Sequence, residues 1–263
     1  KPVVVELGSV GSTNGEALRL AATIESGAPL ADWVTASQQT QGRGRHGRHW
    51  HSPPGNLYAT RLLRTSLPVQ KIVELTLVTG IAVHDAVSTL LDGAATVELK
   101  WPNDVLADGA KIAGILIQTE PGGAQTAVAI GIGINVVVSP PGGPASTSMG
   151  AHGWHGDSTQ VFDALAGSLE NWIGVWSKGT GFAAIRDAWA ARSMPVGSRV
   201  RVRLPGETIH GTVAGLDPTG ALLLRLADGA IRKITTGDVL TDMIGNKRQD
   251  NDLESAGGQQ GVK

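Results

Sequence analysis

Val3-Val4-Val5-Glu6-Leu7 opens the chain as a strand, and Gly8 and Gly11 break it before a helix starting near Ser12 or Thr13. Thr13 and Glu16 have capping-box spacing, and Gly27 is the expected stop. Trp33 to Ser37 is a second short strand, followed by a glycine- and arginine-rich connection from Gln39 to Gly55. Loops longer than about 12 residues in a compact domain tend to be functional or disordered. Leu57 to Leu63 resumes a strand. Pro68 opens a helix whose Ile72, Leu75, Val78, Ala82, Val83, Ala86, Val87 and Leu90 recur at helical spacing until Gly93. Thr96 to Trp101, Lys111 to Thr119 and Thr126 to Asn135 follow as strands joined by tight turns at Asp108-Gly109 and Gly122-Gly123, hence antiparallel. After a proline- and glycine-rich loop (Ser139 to Gly156), Phe162, Leu165, Leu169, Trp172, Trp176 and then Phe182, Ile185, Trp189 mark two further helices. Past Ser193-Met194-Pro195 the pattern changes to four short strands: Arg199 to Leu204, Thr208 to Leu216, Ala221 to Leu226 and Ile231 to Thr235. The tail from Asn246 is polar, lacks aromatics and is expected to be disordered.

Length and charge narrow the function classes. A chain of 263 residues holds one large domain or a large and a small one. A formal net charge of −1 argues against bulk attraction to nucleic acid or an acidic membrane. No apolar run approaches the roughly 20 residues that span a bilayer, and the start lacks a signal-peptide stretch. Without cysteine there is no disulfide framework, thiolate nucleophile or cysteine-ligated zinc. A cytoplasmic protein is expected.

Four features bear on chemistry. Gly42-Arg43-Gly44-Arg45-His46-Gly47-Arg48 interleaves three arginines with three glycines: glycine lets backbone N–H groups close on an anion, and arginine offers paired donors to phosphate or carboxylate. An exposed basic loop or a nucleic-acid contact is the rival reading. In Lys100-Trp101-Pro102-Asn103-Asp104 followed by Lys111, a two-residue hairpin at Asp108-Gly109 pairs residue 106 with 111 and makes Asp104 and Lys111 diagonal neighbours. An ordinary surface ion pair is the alternative, although Ile112 to Ile117 give Lys111 an apolar strand. Gly131 and Gly133 share one face of a strand, where glycine implies a close approach, and Asn135 ends that face. Ser12-Thr13-Asn14 stands at a helix start, where caps are routine.

Taken in order, Ser-Thr-Asn, Gln-x-x-Gly-Arg-Gly-Arg-x-Gly-Arg, Ser-Pro-x-Gly-Asn-Leu-Tyr, Lys-Trp-Pro-Asn-Asp, Lys-x-Ala-Gly-Ile-Leu and Gly-Ile-Gly-Ile-Asn resemble the biotin protein ligases over Ser12 to Asn135. The likeness continues faintly through Gly215 to Leu223. It implies an α+β catalytic domain like that of class II aminoacyl-tRNA synthetases over 1–192, with a mixed, largely antiparallel sheet. A small SH3-like β-barrel over 193–245 and a tail over 246–263 would follow. It further implies an enzyme that uses ATP and Mg²⁺ to make biotinyl-5′-adenylate and passes biotin to a lysine of a carrier protein domain. By position, Ser12, Thr13, Asn14, Gln39, Gly42, Arg43, Lys111 and Gly114 would bind biotin. Arg43, Arg45, Arg48, Trp50, Lys100, Asn103 and Asn135 would bind ATP, with Trp50 packing on adenine and Asn135 reading its edge. Lys111, Arg45 and Asp104 would be catalytic, Asp104 orienting the acceptor lysine or taking its proton, and no protein metal ligand is expected. The loop over 39–50 would be mobile until biotin and ATP order it.

Some members of that family carry an N-terminal DNA-binding winged helix-turn-helix. Here the first motif begins at Ser12, so a monofunctional ligase without DNA binding is expected. A homodimer is left open. A lipoate-type ligase would share fold and chemistry, and a nucleic-acid binder using the arginine loop is the rival outside enzymes.

Overall fold

The computed structural model describes residues 2–23, 31–140 and 145–241. Strands β1 (Val4–Val10), β2 (Trp33–Gln39), β3 (Leu57–Thr65), β4 (Val97–Lys100), β5 (Asp104–Ala107), β6 (Ala110–Gly122) and β7 (Gln125–Ile134) form a seven-stranded sheet in the order β1-β2-β3-β7-β6-β5-β4. Only β1 and β2 run parallel. Helix α1 (Thr13–Thr23) covers one face through Ala17 and Ala21, which pack on Val34, Leu62, Ala127 and Ala129. The other face carries α2 (Val69–Ile72), α3 (Leu75–Leu91), α4 (Ser158–Trp176) and α5 (Phe182–Ala190) over the main core. β7 therefore lies between two covered faces, which explains its near-continuous apolar run.

A second, antiparallel sheet of five strands follows in the order β11-β10-β9-β8-β12. Its strands are β8 (Arg199–Leu204), β9 (Glu207–Leu216), β10 (Leu222–Arg225), β11 (Ile231–Ile234) and β12 (Asp238–Thr241). The turn before β10 wedges this sheet against the helices. Gly220 sits at φ +82°, its carbonyl accepts the Trp101 indole N–H at 3.0 Å, and a Cβ there would lie 2.9 Å from Leu77 Cδ1 and 3.0 Å from Phe182 Cζ.

Several expectations need correction. β1 runs on through Gly8, because its pairing with β2 continues to Val10 and Gln39. The helix from Pro68 is split into α2 and α3. Taken together, Val69–Leu91 is long and apolar enough to cross a membrane, contrary to the reading that no such run exists, yet 67% of its apolar window is buried inside the molecule as the core helix. The small sheet has a fifth strand, β12. Gly27 and the tail from Asn246 lie outside the described residues.

Asp85 on α3 ties the helical layer together. It accepts Arg192 Nε at 2.7 Å and Trp172 Nε1 at 3.0 Å and lies 2.9 Å from His84 Nδ1. Burial alone would raise its pKa, but these hydrogen bonds and the Arg192 charge bring it down to about 2. A depressed carboxylate stabilises the fold above its unfolded pKa and loses that contribution as pH falls toward 2. Asp85→Asn is expected to cost about 2 kcal/mol at pH 7 and almost nothing near pH 2. Urea unfolding across this range checks it, and an equal loss at both ends would refute the linkage.

Candidate active site

The Asp108-Gly109 turn has both residues at positive φ, 48° and 77°, and Leu106 pairs with Lys111 as the spacing requires. A bulge follows: Val105 pairs with Ala113 and Asp104 with Gly114, leaving Ile112 as the extra residue. Asp104 and Lys111 still meet, Oδ1 to Nζ at 2.5 Å. Where β7 ends, Ala145 to Thr147 take its place beside Lys111. Its N–H donates to Ala145 O and its carbonyl accepts from Thr147 N–H, each at 2.9 Å. The peptide of Lys111 is thus pinned from two sides.

Gly114, Gly133 and Tyr58 form one row across β6, β7 and β3. The Trp50 ring lies over it: a Cβ on Gly133 would be 2.6 Å from Trp50 Nε1, and one on Gly114 3.1 Å from Trp50 Cζ3 and 3.2 Å from Lys111 Nζ. Lys111 Nζ stands 5.1 Å from the ring centroid, within cation–π range. The Trp50 indole N–H is buried without a partner among the described residues. A Cβ on Gly131 would overlap the Asn14 amide. The close approaches implied by strand glycines are therefore made by Trp50 and Asn14.

Ser12-Thr13-Asn14 is not the capping box expected. Thr13 lies inside the helix and gives its N–H and hydroxyl to Gln39 Oε1 at 2.9 and 3.2 Å, while Glu16 pairs with Arg19. Asn14 Nδ2 donates to Leu116 O and Gln118 Oε1, and its carbonyl accepts from Thr60 Oγ1 at 2.7 Å. Gln39 Nε2 donates to Ser52 Oγ, which donates to Trp50 O. The sequence motif thus orients the loop and the floor through one polar chain.

The loop from Gly42 curls back on itself, Trp50 N–H to Gly42 O at 2.9 Å and Gly44 N–H to Arg48 O at 2.7 Å. A Cβ on Gly42 would meet Trp50 O at 2.5 Å, so its glycine is a packing requirement. Arg45 Nη1 donates to Asn103 Oδ1 at 3.2 Å and to Gly237 O at 3.1 Å, and Arg48 pairs with Asp238 at 2.8 Å. Burial lowers the Arg45 pKa from its ordinary value, with Asp238 and Asp104 acting the other way.

Asp104 lies between Lys111 and Lys100, the latter 3.0 Å from Oδ2. Burial alone would push the Asp104 carboxyl up, but the charges and hydrogen bonds of the two lysines hold it below its ordinary value. Both oxygens are engaged and the group is a weak base, so orientation of Lys111 suits it better than proton abstraction.

These groups line one cleft of about 710 Å³, together with Ser12, Arg43, His49, His51 and, from the small sheet, Arg201, Asp238, Val239 and Leu240. Of the sequence candidates, Gly42 and Asn135 are not in its lining. Asn135 is buried, and its side chain donates to Thr147 O at 3.0 Å, bracing the segment beside Lys111. Sequence reasoning missed Asp238 because it missed β12. The short run Asp238-Val239-Leu240-Thr241, β-branched in part and set off by Gly237, was the available signal.

Residues 21–135 match the model of the biotin/lipoate A/B protein ligase family, and residues 196–240 that of the biotin protein ligase C-terminal domain. A biotin–[acetyl-CoA-carboxylase] ligase of Paracoccus denitrificans is 37% identical over 227 residues, covering 83% of this chain and 92% of that protein. The corresponding ligase of Mycobacterium tuberculosis is 37% identical over 237 residues, covering 88% and 85%. A solved biotin protein ligase from Aquifex aeolicus in complex with biotin and ATP superposes with a TM-score of 0.71 at 27% identity, covering 90% and 97%. The first of the two models spans biotin and lipoate ligases alike. The second narrows the class, and with these relatives the chain belongs to the biotin protein ligases.

Proposed function

We propose that this chain joins biotin to ATP as biotinyl-5′-adenylate and then passes the biotin to a lysine of a carrier domain. The observation that carries the reading is the convergence of Arg43, Arg45, Arg48, Lys100 and Lys111 on one cleft, floored by Gly114 and Gly133. In the first step a carboxylate oxygen of biotin attacks the α-phosphorus and pyrophosphate leaves. A carboxylic acid with pKa near about 4.5, by analogy with Glu, is already ionised at neutral pH, so no general base is needed. What is needed is charge neutralisation, and fixed cations act more strongly on the crowded transition state than on the separate reactants. Lys111, aimed by Asp104 and steadied on Trp50, serves the carboxylate and α-phosphate. The loop arginines serve the outer phosphates.

In the second step the carrier lysine, as a neutral amine, attacks the acyl carbon and AMP leaves. Its proton goes to water, since Asp104 is committed to two lysines. Ser12, Thr13, Asn14 and Gln39 frame the biotin end of the cleft. The lining carboxylates Asp104 and Asp238 are paired with cations, so Mg²⁺ enters on the nucleotide as part of the substrate and needs few protein ligands. The names of the relatives support a biotin carrier domain of acetyl-CoA carboxylase as acceptor. A cytoplasmic setting goes with this reading, because ATP is present there and a chain without cysteine needs no oxidising compartment.

Biotin-dependent exchange of pyrophosphate into ATP tests it. Exchange with biotin and none with lipoate is expected. Exchange answering to lipoate alone would hand the site to the sister activity, and exchange with neither would remove the adenylate reading.

A further inference from the structure

The two carboxylates of the cleft are not equivalent. Asp104 is clamped between two lysines on the large sheet. Asp238 stands on the opposite wall, at the start of β12, with its side chain 29% exposed. It takes Arg48 Nη2 at 2.8 Å and lies 3.9 Å from Arg45 Nη1. Arg45 is further held to the same turn by Gly237 O at 3.1 Å and Thr236 Oγ1 at 3.5 Å. Two of the three loop arginines thus face an anion supplied by the protein itself.

We propose that Asp238 is an internal competitor for the nucleotide: its carboxylate occupies Arg45 and Arg48 until phosphate displaces it, and reclaims them as pyrophosphate departs. The proposal rests on the nucleotide reading of the cleft and assigns that site a regulatory residue. A carboxylate and a phosphate offer guanidinium the same kind of acceptor edge, so one can replace the other without rebuilding the loop. The triphosphate carries more charge than one carboxylate and prevails when bound.

The geometry suits exchange rather than permanent pairing. The Arg48 side chain is 57% exposed, and ion pairs at such sites contribute little, so the contact breaks cheaply. Arg45, at 19% exposed, keeps Asn103 as a second acceptor and stays beside the Lys100–Asp104 turn when the small sheet lets go. Asp238 is directly opposite Arg203 in the β12–β8 register, which leaves a cation near the released carboxylate. Without a returning anion, the two arginines would hold pyrophosphate longer. Asp238 thereby favours product release at some cost in nucleotide affinity.

The near-isosteric Asp238→Asn variant of the full chain, assayed by biotin-dependent pyrophosphate exchange, tests this. Apparent affinities for ATP and for inorganic pyrophosphate should both strengthen by about three- to fivefold, the scale of one exposed ion pair. The KM for biotin should stay unchanged, and Asp238→Glu should behave as the parent. Damage to the fold would weaken ATP and biotin together. An ATP affinity that stays level or falls in Asp238→Asn overturns the proposal. The unaltered chain gives a second check should the variant not fold: hydrogen exchange over residues 236–241 should speed up when inorganic pyrophosphate is added, and unchanged protection there also overturns it. A parent chain with no biotin-dependent exchange sinks the nucleotide reading itself, whereas an active parent with an unmoved Asp238→Asn sinks only the role of Asp238.

Discussion

Lys111→Ala is expected to slow biotin-dependent pyrophosphate exchange by about 10²- to 10³-fold, the usual loss when one aimed electrostatic group is removed from a preorganised site. The size of the effect follows from how completely Lys111 is placed. Its backbone is bonded to Ala145 and Thr147, its ammonium is 2.5 Å from Asp104, and the Trp50 ring limits where it can swing. Removing it deletes one positive charge from the cleft and takes the cluster of Lys100, Asp104 and Lys111 from a net +1 to zero, the unfavourable direction for an anionic transition state. Lys111→Arg should recover little, because the space beside Gly114 and Trp50 is already tight. The KM for biotin should change far less than the rate. Exchange at the parent rate in Lys111→Ala would take Lys111 out of the chemistry.

The second large effect is expected from one methyl group. Gly133→Ala would place a carbon 2.6 Å from Trp50 Nε1, which no real contact tolerates, so the indole must leave the floor. Overpacking typically costs about 1–3 kcal/mol. Because Trp50 sits on a loop rather than in the core, much of that cost should be relieved by moving the loop. Ligand affinity should then suffer more than stability, with biotin binding weakened by about 10- to 100-fold. Titration calorimetry beside a thermal melt separates the two quantities. Unchanged biotin affinity would show that the seat of Trp50 on Gly114 and Gly133 is not part of the binding surface.

Much of this site was legible because its signals are local. Asp108-Gly109 demands a two-residue turn with positive φ at both positions, and the hairpin it closes puts Asp104 and Lys111 on neighbouring strands, where they meet despite the bulge between them. Gly131 and Gly133 announced close neighbours through their lack of a side chain. What pattern could not reveal was which neighbours, since Asn14 and Trp50 reach them from distant parts of the chain. The bulge at Ile112 was hidden for a similar reason: it shifts register without changing the run of apolar residues. Thr13 has the chemistry of a cap, but its hydroxyl donates to Gln39 Oε1, 26 residues away, instead of accepting a backbone N–H of its own helix. Asn135 was expected at the ligand, yet the backbone of Thr147 claims its amide. The small sheet's contribution was the least readable, because β12 is only four residues long and its Asp238 matters through arginines some 190 positions earlier.

The seating of Gly220 against Leu77, Phe182 and Trp101 has a mechanical meaning. Tilting the second sheet outward would strip an indole N–H of its acceptor and pull a side-chain-free backbone from a slot shaped for it. Both changes are costly in a buried interface. With that sheet held, the entrance to the cleft is expected to open like a tent flap, by lifting the ribbon between Gln39 and Gly55, and not like a jaw whose lower half drops away.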